Sequence, residues 1–101
     1  MQRITEKHLE AKVAYLNELM GVPAKPWRAT TPEEFAATGR GFKANIGNFH
    51  IAGAYGGWEL HQMATEGGGV NTPLLSGYVP RRELGNLINA YITGVIAARS
   101  K

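Results

Sequence analysis

The chain has no cysteine and no aspartate among its 101 residues. Without thiols, disulfides, thiolate metal sites and cysteine nucleophiles are excluded. Without aspartate, a histidine has no Asp to orient it in a hydrolase-type triad. Serine occurs only as Ser76 and Ser100, and Ser76-Gly77 lacks the strand–elbow–helix context of a hydrolase nucleophile. Long apolar runs are also missing. The most apolar stretch, Leu84–Ala98, is broken by Asn86, Asn89 and Thr93, and a bilayer span needs about twenty apolar residues. No membrane association is therefore expected. The opening MQRITEKHLE has no apolar segment behind its charges, so no signal peptide is expected either.

Cations are absent from one long interval, between Lys43 and Arg81. The overall balance is only mildly basic, +3, well short of a protein that lives on phosphates. Within that interval lies Asn45–Gly69, NIGNFHIAGAYGGWELHQMATEGGG. It holds more than half of the 13 glycines, two histidines, one tryptophan and only two glutamates. Such a tract is either packed tightly against its own domain or offered to a ligand. Arg40 and Lys43 precede it and Arg81 and Arg82 follow it. A fold that joins its ends would ring an uncharged patch with four cations.

The remaining pattern fits one compact domain. Thr5 is a suitable N-cap for a helix over 5–20, in which Leu9, Val13, Leu16 and Met20 share a face and Gly21 and Pro23 end it. His8 lies beside that stripe and is expected at the surface. Residues 22–31 read as an extended linker anchored to the core by Trp27. Thr31-Pro32-Glu33-Glu34 has the form of a capping box and starts a short helix over 32–38, closed by Gly39. Phe42–Ile46 and Phe49–Ile51 alternate around Gly47-Asn48, which predicts an antiparallel hairpin. Residues 57–66 are predicted as a second short helix, with Leu60 and Met63 on one face and Trp58 and His61 on the other. Residues 70–78 form a loop or short edge strand. The last helix, 80–98, presents Leu84, Leu87, Ile88, Tyr91, Val95 and Ala98 to the core, widened by Ile92 and Ile96. Its uncharged stripe of Asn86, Asn89 and Thr93 suits a homodimer contact. The expected class is α+β, a β-hairpin covered by an N-terminal helix, a short central helix and a long C-terminal helix.

Three chemistries compete for the central tract. A metal site would draw on His50, His61, Glu59 and Glu66, but Glu59 and His61 diverge on a helix and no HExxH spacing exists. No cofactor is expected. A His–Glu acid–base pair would make a small histidine-dependent enzyme. Gly53-Ala54-Tyr55-Gly56-Gly57 before a helix would cradle a phosphate on free backbone N–H groups, with Tyr55 and Trp58 stacking on a base. That pattern is neither a Walker loop nor a complete dinucleotide fingerprint, and close packing through the glycines explains it as well.

Ile46–Ile51, Ala54–Trp58 with Leu60 and Met63, Glu66–Gly69, Arg82–Leu84 and Tyr91–Gly94 resemble a family of small uncharacterised proteins of tailed bacteriophages and prophages. The resemblance covers roughly residues 42–97. It implies a cytoplasmic location in the infected host and a non-enzymatic accessory role, binding a host or phage protein of defence or replication machinery. The expected contact surface is Tyr55, Gly56, Gly57, Trp58, His61 and His50, bordered by Arg40, Lys43, Arg81 and Arg82. A nucleotide or nucleic acid is the alternative ligand.

Overall fold

A computed structural model describes residues 4–100. Its elements follow the order α1 (Glu6–Met20), β1 (Trp27–Ala29), α2 (Pro32–Thr38), β2 (Phe42–Ala44), β3 (Phe49–Ala54), β4 (Gly57–Met63), β5 (Val70–Asn71) and α3 (Arg81–Arg99). The fold is α+β. β1 and β2 form a small ribbon, and β3-β4-β5 form a three-stranded antiparallel sheet. No described helix is long and apolar enough to cross a membrane.

The ends of α1 and α2 named in the sequence have their caps. The Thr5 Oγ1 accepts from the His8 N–H while the His8 Nδ1 accepts from the Thr5 N–H. The exposed His8 thus completes a capping box from a position where glutamate is usual. Gly21, with φ 68°, closes α1 in the left-handed region. Thr31 and Glu34 cap α2 in the same reciprocal way. α3 starts after Pro80, with no side-chain cap.

Three assignments differ from the sequence expectation. Phe42–Ala44 pairs with Trp27–Ala29, not with Phe49–Ile51, so part of the expected linker is a strand. Gly47-Asn48 is not a hairpin turn. The Asn48 side chain is buried and donates to the Pro23 carbonyl, and the Gly47 N–H donates to the Met63 carbonyl. Residues 57–66 are not a helix. Gly57–Met63 is β4, paired along its length with β3. The hairpin turn is Tyr55-Gly56, with φ 51° and 74°, the two positive values that a type I′ turn needs. Glu, Leu, Gln and Met favour helix locally, but pairing with β3 overrides that weak preference. Gly57 allows a close approach: a Cβ there would lie 2.8 Å from the Tyr78 carbonyl carbon. That contact lets residue 79 bridge to Trp58 and extend the sheet.

The core lies between the sheet and two helices. Leu9, Val13 and Leu16 of α1, Phe49 and Leu60 of the hairpin, and Leu84, Ile88 and Ile92 of α3 form one buried cluster. Each such side chain contributes about 1.5–3 kcal/mol by leaving water. The α3 stripe is narrower than expected. Leu84, Ile88 and Ile92 are buried, Leu87, Tyr91 and Val95 are half-buried, and Ile96 and Ala98 are exposed. The uncharged side of α3 is exposed, though the Asn89 Oδ1 accepts from the Lys12 Nζ at 3.0 Å.

One buried polar residue joins α1 to the sheet. The Asn17 Nδ2 donates to the Phe49 carbonyl at 3.0 Å, and the Phe49 N–H donates to the Asn17 Oδ1 at 2.7 Å. The amide group acts as one residue of a neighbouring strand. Asn17→Ala would leave two buried backbone groups unpaired, and a loss of roughly 2–4 kcal/mol is expected. Urea unfolding followed by circular dichroism measures it. Asn17→Asp, which keeps the acceptor and loses the donor, is expected to be destabilising as well.

Candidate functional site

Alternation along β3 and β4 sorts the central tract onto two faces. Phe49, Ile51 and Gly53 of β3 and Trp58, Leu60 and Gln62 of β4 share the face under the helices. His50, Ala52, Ala54, Glu59, His61 and Met63 share the other. Trp58 therefore parts from His61. Its ring packs over Gly53, where a Cβ would lie 3.1 Å from the indole, and it joins the core while half-buried. The expected Trp58–His61 surface does not form as one patch.

The second face carries a row of polar rings. His50 and His61 are directly opposite in the register, with ring centroids 5.7 Å apart and planes at 83°. The His61 Nε2 lies 2.9 Å from the Glu59 Oε1. The divergence expected of Glu59 and His61 on a helix is reversed, because residues two apart on a strand point the same way. The His50 Nδ1 lies 3.2 Å from the Asn48 Oδ1. Tyr78 continues the row, 6.3 Å from His61 and 5.5 Å from Tyr55 between centroids. Tyr55 stands 94% exposed on the turn. Gly56 and Gly57 belong to the hairpin, not to a helix start, so the phosphate cradle on a helix dipole is absent from that position.

Burial pushes the His50 imidazole below its ordinary 6.5, and the facing His61 adds to the effect. Glu59 and His61 form a carboxylate–imidazole pair of the kind that holds one tautomer. His50 lines a groove between α1 and β3, while His61 turns toward Glu59 and Tyr78. Among the described residues, no three histidine or acidic side chains converge as metal ligands.

The four flanking cations lie in different local settings. Lys43 is bound by Glu34 at 3.4 Å and by Glu66 at 3.0 Å. Both carboxylates raise its pKa, Glu66 most. Arg40 lies against Gly67, beside a small cavity that Lys43, Glu34 and Glu66 also line. Arg81 and Arg82 belong to the first turn of α3, after the residue that bridges to Trp58.

A second surface was not expected. In the β1–β2 ribbon, Trp27 pairs with Ala44 and Ala29 with Phe42, so these four share a face. Arg28 and Lys43 share the other, where Glu34 of α2 binds both. The Arg28 guanidinium, with the Thr31 N–H, holds the Glu34 carboxyl well below the usual carboxylate range. Trp27 touches Gly68 yet remains 43% exposed, so it pins the arm only in part. Phe42 is 65% and Phe35 55% exposed. Between residues 24 and 44, only Ala44 is buried. The signal available in the sequence was an aromatic at every landmark of the arm, with no matching apolar positions to enclose them.

No family model matches the chain, and no curated protein or solved structure matches it.

The folded protein binds a proton at His50 less readily than the unfolded chain does. Stability from this residue is therefore present above pH 6.5 and lost as pH falls through the lower folded value. His50→Gln is expected to flatten the stability loss between pH 7 and 5, and an NMR titration of the His50 ring is expected to give a midpoint below 6.5. Tyr55→Asn is expected to raise stability by about 0.5–1 kcal/mol, since asparagine accepts the left-handed region more readily than tyrosine. Thermal unfolding checks it.

Proposed function

We propose that this chain is a non-enzymatic phage accessory protein that binds a protein partner of host defence or replication machinery. The observation that carries the binding role is the arm of residues 24–44. It turns Trp27, Phe35 and Phe42 to the outside while burying only Ala44. Large aromatics of this kind anchor protein interfaces, because they bring much contact area at little entropic cost. The phage assignment is supported by the sequence resemblance alone.

The arm also favours a protein over a nucleic acid. Its two strand cations, Arg28 and Lys43, lie on the face opposite Trp27 and Phe42 and are held by Glu34. Stacked bases on the aromatic face would lack phosphate partners from the same strands. The contact surface of this proposal is therefore that of Trp27 and Phe42, in place of the one around Trp58.

A photoreactive benzophenone side chain at position 42, expressed in infected cells, is expected to give a discrete protein adduct. The same group at the exposed position 96 of α3 serves as the control. With the adduct partner purified, Trp27→Ala and Phe42→Ala are each expected to weaken binding by ten- to a hundredfold, about 1.4–2.7 kcal/mol, without altering the fold. Unchanged affinity in both variants would refute the assignment.

A further inference from the structure

The free edge of β3 presents an unfinished ladder. In an antiparallel pair, residues alternately direct their backbone groups at the partner and away from it. The Met63 N–H donates to the Asn48 carbonyl, while Trp58 exchanges two hydrogen bonds with Val79 on the other side of β4. These bonds set the phase. Asn48, His50, Ala52 and Ala54 face β4, and Phe49, Ile51 and Gly53 face outward. The outward groups of Phe49 are paired with the Asn17 amide. Those of Ile51 and Gly53 have no partner among the described residues.

Nothing in the strand's own sequence blunts this edge. Phe49–Ala54, FHIAGA, holds no lysine, no proline and no fixed charge, the usual devices against strand addition. Beside it runs a groove of about 290 Å³. Val13, Ala14 and Glu10 of α1 form one wall, the β3 edge another, and Ala24 and Pro26 also border it.

We infer that this slot takes an extended segment of a partner polypeptide, added beside β3 as a further strand. Unpaired N–H and C=O groups on two alternate residues match a strand backbone. A second copy of the chain does not fit. α1 packs on β3 while α3 packs on β4. Helices need about 8–10 Å between axes and strands only about 4.8 Å. α1 therefore reaches over the free edge, and a symmetric β3 pairing would drive two copies of α1 into the same space. The walls define the segment's chemistry. Side chains under Val13 and Ala14 are small and apolar, and those beside His50 are polar. Glu10 makes no ion pair among the described residues and selects a basic residue.

The probe is an acetylated, amidated peptide, threonine-valine-threonine-valine-lysine, added to the isotope-labelled full chain. Amide exchange at Ile51 and Gly53 is expected to slow at least tenfold at saturating peptide. Two N-methylated versions, one at the valines and one at the threonines, are expected to differ by at least tenfold in affinity, since only alternate amides face β3. Ala14→Tyr, at an exposed position, is expected to fill the slot and abolish protection with an unchanged circular dichroism spectrum. Glu10→Lys is expected to weaken the lysine peptide and favour its glutamate counterpart, which keeps the test open should Ala14→Tyr misfold. Trp27→Ala is expected to leave peptide binding intact, separating this slot from the aromatic arm. Unchanged exchange at millimolar peptide, equal binding of the two methylated peptides, or protection that follows protein concentration without peptide would each overturn the inference.

Discussion

The pairing of Asn17 with Phe49 is the interaction on which the arrangement depends. Apolar burial alone would hold α1 against the sheet with little preference for position, because the hydrophobic effect has no direction. A buried amide that must satisfy both backbone groups of one residue fixes the helix along its axis and in rotation. The same residue's own carbonyl accepts from Gly21 and Val22, so it also ends the helix. The chain then leaves α1 at a defined place, and Pro23 offers its carbonyl to Asn48. Two buried asparagines thereby tie the start of β3 to the turn after α1.

From that anchor the two faces of the hairpin take different roles. One is sealed by α1 and α3 through Phe49, Leu60, Leu84 and Ile88. The other keeps the row of His50, His61, Glu59 and Tyr78, whose partners are chiefly one another. Glu59 is buried, and a buried carboxylate needs a hydrogen-bonded partner, which His61 supplies. The row is explained by this mutual satisfaction as fully as by chemistry on a substrate. The arm of residues 24–44 differs from both faces. Ion pairs organise its inner side around Glu34, and its aromatics point outward.

Capping made much of the helical structure legible. Thr5 with Gly21 and Thr31 with Gly39 act within one or two turns, and their chemistry is complete in the local sequence. Strand pairing was less legible. Phe42–Ile46 and Phe49–Ile51 alternate as hairpin strands should, yet each pairs elsewhere, because alternation gives a face and not a partner. Gly57–Met63 is seven residues long, too short for helical and strand periods to be separated by pattern. The wrong period then carried Trp58 to the face of His61 and parted Glu59 from His61. His50, His61 and Tyr55 fall in one row through Tyr78, while Trp27, expected as a core anchor, and Phe42, expected in a hairpin strand, stay largely in water, since exposure is a property of what the fold fails to cover.

By itself, the sequence determined the chemistry that is absent, the ends of the helices and the apolar stripes of α1 and α3. Those depend on residue type and on contacts within a few positions. Tertiary structure alone decided which strands pair, which edge stays open and which aromatics stay in water. Those outcomes turn on residues 32 apart, such as Asn17 and Phe49, whose meeting no local pattern encodes.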